Sequence, residues 1–202
     1  GSNARIYNLA LSNGASFTVI GNDGGLLATP QTVNSLTVAP GERADLIIDF
    51  GAMGLNSELF LISKTFIGGN AQGTQEFKIM KFKVTTQVVD NFSIPTTLSS
   101  ISPLTESMAT KTRNFEISNV DSGSMSGMMM HTINNKSYDA NRIDELVTSG
   151  AVEIWTFDNT NGLEPHPMHL HGVQFQILNR SGGRGILTAL EKGWKDMALC
   201  MP

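Results

Sequence analysis

Charge, cysteine and long apolar runs are all scarce in this chain, and each shortage narrows what it can be. Only 16% of its 202 residues are charged, 14 basic against 18 acidic, and no basic cluster occurs. That balance argues against a nucleic-acid partner, since phosphate binding needs a concentrated positive field. No apolar stretch is long enough to span a bilayer. One cysteine, Cys200, excludes an internal disulfide and says little about redox compartment. A sustained helical period is missing too, and residues 141–148 are the one place where a short helical turn is expected.

What is present is the material of a β protein. The chain is 40% hydrophobic and holds 20 glycines, enough for one or two cores. Over residues 4–86, short alternating runs are separated by turns. Tyr7, Leu9 and Leu11 form one, and Phe17, Val19 and Ile20 the next. Asn22-Asp23-Gly24-Gly25 and Pro40-Gly41 carry turn chemistry, the second ahead of the apolar run Leu46–Phe50. In the stretch Gln75–Val84, Phe77, Ile79, Phe82 and Val84 alternate with a one-residue slip that points to a bulge. Residues 91–105 are rich in Ser, Thr and Pro and read as a linker. Strand-like segments resume at 114–118, 128–134 and 151–157.

The densest chemistry is His166-Pro167-Met168-His169-Leu170-His171-Gly172. A buried histidine costs free energy unless its ring nitrogens are satisfied, so three within six residues are not packing accidents. Val152, Ile154, Trp155 and Phe157 before, and Val173, Phe175 and Ile177 after, suggest strand on both sides. Alternation along a strand would point His169 and His171 the same way. His166, three residues from His169 and held extended by Pro167, would face a different centre. The expectation is one strand end serving two metal sites. A cupin-type His-x-His strand needs a carboxylate a few residues on, and Val173-Gln174-Phe175-Gln176 stands there instead.

This motif resembles the histidine-rich strand H-P-x-H-x-H-G of the last cupredoxin domain in multicopper oxidases, of the bacterial laccase and copper-efflux type. Gly21-Asn22-Asp23-Gly24-Gly25-Leu26-Leu27 and Ala39-Pro40-Gly41-Glu42-Arg43-Ala44-Asp45 are similar to the middle domain of that family. Lys192-Gly193-Trp194-Lys195-Asp196 is similar to the segment after the histidine strand. The matches run in order over nearly the whole chain. The resemblance implies an all-β fold of two incomplete cupredoxin-like Greek-key β-sandwiches. Residues 1–90 would be the middle domain, truncated at its N-terminus, 91–106 the linker, and 107–202 the last domain, truncated at its C-terminus. A signal peptide would then lie outside the chain, and an extracytoplasmic location (periplasm, secretion or spore surface) is implied.

The resemblance further implies four coppers in the complete protein, one blue copper on the substrate side and three in an oxygen-reducing cluster. His166 would hold the blue copper, His169 the lone copper of the cluster and His171 one of its paired coppers. Partners would be a phenolic, aromatic amine or metal-ion electron donor and dioxygen, and the fragment alone would be inactive. Cys200 has no flanking histidines and reads as a small apolar side chain rather than the copper thiolate. Met125, Met128, Met129 and Met130 with His131 form a soft-ligand cluster suited to cuprous ion, or else core packing. His131 otherwise reads as an ordinary polar residue at a strand edge. Glu164 is a loop acid or a proton acceptor near the donor copper. Trp194 reads as a core aromatic and Asp196 as a turn or hydrogen-bond partner of the metal ligands. Asp23 and Arg43 are a possible pair within the middle domain. Two alternatives to a laccase stand: a cuprous oxidase, and a copper-free scaffold relative of the cell-division type. A two-domain oxidase fits less well, because the middle-domain motifs carry no histidine.

Overall fold

The structure, a computed structural model, describes residues 4–68, 70–121, 129–182 and 185–202, with only the backbone described at 70, 71, 121 and 129. Its regular secondary structure is almost wholly short strands, as the alternating runs require. Two compact units form: Gly1–Ser102 together with Pro167–Leu199, and Pro103–His166 together with Cys200–Pro202.

In the first unit, strands β1 (Tyr7–Leu11), β4 (Leu36–Val38), β6 (Glu58–Ser63) and β7 (Phe77–Lys83) make one sheet in the order β4-β1-β6-β7. Strands β2 (Phe17–Asn22), β3 (Gly25–Val33) and β5 (Ala44–Ile47) make a second, in the order β3-β2-β5. Leu11, Phe17, Val19, Leu27, Leu36 and Leu59 are buried in one core, joined by Leu190 from the turn Ala189–Glu191. The expected slip in Gln75–Val84 is a β-bulge: Leu61 pairs with Met80 and Ile62 with Lys78, leaving Ile79 as the extra residue.

Asp23 and Gly24 make the two-residue turn between Asn22 and Gly25, the closing pair of the β2–β3 hairpin. Gly24 has a specific reason to be glycine, since a Cβ there would lie 2.1 Å from the Trp194 carbonyl oxygen. The proline-bearing stretch after β7 lies along β3, with Leu98 N–H donating to the Ala28 carbonyl (2.9 Å) and the Ser99 hydroxyl to that of Leu27 (2.9 Å).

In the second unit, β8 (Lys111–Asp121) is central, parallel to β10 (Glu153–Asp158) and antiparallel to β9 (Met129–Ile133). A parallel pair needs a long crossover, supplied by β9 and residues 134–152. Phe115 stacks on Phe157 (ring centroids 5.3 Å apart) and lies tilted against Trp155 (4.7 Å). Arg113 donates to Glu153 and to Glu145, and so ties the crossover down. The helical turn expected at 141–148 does not form. Asn141 N–H bonds the Asp139 carboxylate and Arg142 folds onto Asp144 and the Ser137 carbonyl, local bonds that compete with a helix. Among the described residues the α-helical content is one short turn, Asn70–Gly73, and no helix is long and apolar enough to cross a membrane.

Candidate metal centre

Strand β11 (His166–His169) pairs with β12 (Met197–Cys200). The strand expected to continue through Val173 and Ile177 stops at His169. His171 and Gly172 form a turn, and Gly172 takes φ +79°, a left-handed conformation that only glycine adopts freely. Phe175 then returns to bridge Lys195. His169 and His171 are nonetheless brought together by this turn rather than by strand alternation, with centroids 5.7 Å apart and planes at 87°.

His169 is exposed, but its ring is not free to turn. Nδ1 lies 2.9 Å from the Asp196 carbonyl oxygen. A carbonyl only accepts, so Nδ1 carries the hydrogen, and in the neutral ring it is Nε2 that holds the lone pair. Leu170 N–H donates to the same carbonyl at 3.1 Å. Asp196 is thus the hydrogen-bond partner its sequence position suggested, through its backbone. Its carboxylate receives two bonds from Arg43, each 2.7 Å, and these hold it below the usual carboxylate range.

Beside it, sequence reasoning missed a buried ion cluster. Lys195, fully buried, places Nζ 3.0 Å from Asp23 Oδ2 and 3.1 Å from Glu42 Oε1. A buried ammonium is tolerable only with such partners. Arg43 and Asp23 do meet, but through backbone: Arg43 N–H donates to Asp23 Oδ1 (3.1 Å) and its guanidinium to the Asp23 carbonyl (2.8 Å). Trp194 is half-buried, its backbone packed against Gly24.

His166, in the second unit, is prepared differently. It is half-buried, and Nε2 has no hydrogen-bond partner among the described residues. Burial lowers its imidazole below the ordinary histidine value; neighbouring His131 adds to that and Glu164 opposes it. The His131 ring stands edge-on to it, centroids 5.1 Å apart. His131 is more than a polar strand-edge residue: its Nδ1 is 2.8 Å from Asn119 Oδ1, its cross-strand partner. Asn159, buried and not anticipated, closes the loop leading to His166 by donating to the carbonyls of Glu164 (2.8 Å) and Cys200 (3.3 Å). Glu164 itself is an exposed loop acid. Cys200 is half-buried on β12, its Sγ 3.5 Å from the Phe157 carbonyl. Of the methionine cluster, Met125 and Met128 lie outside the described residues, and Met130 is exposed on β9.

Among the described residues no three His, Cys, Asp or Glu side chains gather as a metal site. The donors offered are imidazoles in two sets, and imidazole suits copper. A ring nitrogen buried without a partner and a tautomer fixed by a backbone carbonyl both fit that use.

A 2F4 variant of the McoA multicopper oxidase from the hyperthermophile Aquifex aeolicus superposes on the whole chain with TM-score 0.84 and 34% identity, the match covering 45% of that structure. The sheets and this superposition define an all-β protein of cupredoxin-like sandwich type. A multicopper oxidase family model matches residues 108–198. The laccase of Bacillus subtilis (strain 168) is 34% identical over 96% of the chain, and the cell division protein FtsP of Xenorhabdus nematophila is 30% identical over 96%. The chain belongs to the multicopper oxidase family. It spans 40% of the length of each of those two relatives.

Proposed function

We propose that the protein containing this chain is a laccase-like multicopper oxidase. It takes single electrons from a phenolic, aromatic amine or metal-ion donor and reduces dioxygen to water outside the cytoplasm. Residues 1–90 belong to its middle domain and 107–202 to its last, joined by 91–106. His166 would hold the donor-side copper, and His169 and His171 coppers of the oxygen-reducing cluster. Bound copper supplies reversible one-electron chemistry.

The residues of this chain do the holding. The observation that carries the reading is the Nδ1–H bond of His169 to the Asp196 carbonyl, which presents Nε2 as a donor beside His171. Burial of His166 lowers its imidazole below the ordinary histidine value and so favours the neutral state, in which imidazole ligates. Four donor electrons and four protons are consumed per dioxygen, yielding two waters. The 30% identity to FtsP keeps a copper-free scaffold as a second reading. Oxygen uptake by the full-length, copper-loaded protein with a phenolic or metal-ion donor separates the two. Uptake at a four-to-one electron stoichiometry supports the oxidase. Copper-independent folding with no uptake from any donor overturns it and favours the scaffold.

A further inference from the structure

We propose that Asp23 is a positioning residue for His169, acting through the single peptide unit between Asp196 and Met197; this rests on reading His169 as a copper ligand through Nε2. A trans peptide is planar, with N–H and C=O pointing opposite ways, so holding one end aims the other. Met197 N–H donates to Asp23 Oδ2 at 3.2 Å. The carbonyl of the same unit, that of Asp196, accepts from His169 Nδ1 at 2.9 Å. The carboxylate thus grips one end of the unit whose other end sets the histidine tautomer.

Charge adds to geometry. A hydrogen bond to an ionised acceptor is stronger than a neutral one, and bonds in series polarise one another. Asp23 therefore strengthens the Asp196 carbonyl as an acceptor. That carbonyl in turn makes Nε2 of His169 a better donor to metal. The carboxylate is itself fixed, fully buried, with Arg43 N–H on Oδ1 at 3.1 Å and Lys195 Nζ on Oδ2 at 3.0 Å. Gly24, pressed against the Trp194 backbone, keeps the hairpin tip at that distance. Were Asp23 merely the counter-ion of Lys195, its loss would lower stability and leave the His169 tautomer untouched.

Three variants of the full chain separate these roles. Asp23→Ala removes the bonds from the Arg43, Asp196 and Met197 N–H groups. Asp23→Asn keeps the volume but loses the charge: its amide oxygen turns to the Met197 and Asp196 N–H groups and Lys195, and its nitrogen to Arg43 N–H, so the Met197 bond is kept. Arg43→Gln deletes the neighbouring ion pair with Asp196 and leaves the peptide grip intact. The readout is the His169 tautomer, from two-bond proton–nitrogen correlations on the metal-free chain labelled with nitrogen-15 histidine. The expected result is an Nδ1–H tautomer in the wild type, Arg43→Gln and Asp23→Asn, and a tautomer mixture in Asp23→Ala. Cuprous ion should bind at His169 about tenfold more weakly in Asp23→Ala. Should that variant unfold, Asp23→Asn carries the test through a smaller but measurable loss of cuprous affinity, since its neutral amide is a weaker acceptor than the carboxylate. A folded Asp23→Ala that keeps the wild-type tautomer overturns the proposal, as does undiminished cuprous affinity in Asp23→Asn where Asp23→Ala unfolds, or an equal change in Arg43→Gln. If cuprous ion leaves the wild-type His169 Nε2 resonance unmoved, the copper reading fails, and the tautomer comparison still decides what Asp23 does.

Discussion

At one end of β11, His166 is half-buried beside His131, and its Nε2 bonds nothing among the described residues. At the other end His169 is exposed, and its Nδ1–H is tied to the Asp196 carbonyl. Neutrality comes from desolvation in the first case; a fixed lone pair comes from hydrogen bonding in the second. The supports differ accordingly. His169 depends on a buried ionic cluster assembled from the β2–β3 hairpin and the turn before β5. His166 depends on Asn159 and the β8–β9 pair. Within one four-residue strand the histidines are prepared by separate machinery, so each should be separable by mutation.

Gly24→Ala should break the His169 end hardest. The added carbon meets the Trp194 carbonyl, the hairpin tip must retreat, and overpacking of this kind costs about 2 kcal/mol. Thermal unfolding reads the loss. The His169 ring resonances should move while the His131–His166 contact persists. Asn159→Ala is the mirror experiment. It strips the amide donor from the Glu164 and Cys200 carbonyls at a cost of roughly 1–3 kcal/mol, and should shift His166 resonances but not those of His169. If either variant disturbs both histidines equally, the two supports are not separate.

Acid should also act unevenly. Hydrogen bonds from Arg113, then from Trp155, hold Glu153 at about 2 against an ordinary 4.5. A depressed folded-state value contributes stability that is fully present above the unfolded value and lost as pH falls through the folded one. The second unit should therefore weaken between about pH 4.5 and 2, and Glu153→Gln should flatten that part of the profile, as followed by Trp155 fluorescence. The smallest effect is expected at Cys200. Cys200→Val in the full-length protein should change stability by under about 1.5 kcal/mol and leave the blue colour intact; loss of the colour would make Cys200 a copper ligand.

Local pattern made much of this legible. The Asn22–Gly25 turn, the Pro40-Gly41 turn and the bulge at Ile79 follow from neighbouring residues alone, because each is decided within a few peptide units. The histidine triplet was legible for the same reason. Pairings across the chain were not. Lys195 stands between Trp194 and Asp196, and nothing local reveals that Asp23 and Glu42 arrive to bury it. The partners of His131, and Asn159 altogether, escaped the sequence for the same reason, since their roles come from contacts with Asn119, His166 and Cys200. The strand drawn through His171 failed because alternating letters outweighed the glycine that turns the chain at 172. The expected turn at 141–148 failed because Asp139 and Asp144 side chains satisfy the backbone and Arg142 locally.

The central claim, that one strand serves two independently prepared copper positions, is tested most directly by paramagnetic resonance and visible absorption of the full-length, copper-loaded protein carrying His166→Ala or His169→Ala. His166→Ala should lose the blue absorption and keep the cluster signal, while His169→Ala should lose the cluster signal and keep the blue band. Each affected position should bind copper more than about a hundredfold more weakly, since even outer partners of metal ligands cost 10–100-fold. Identical losses in both variants, or undiminished copper in either, would contradict it.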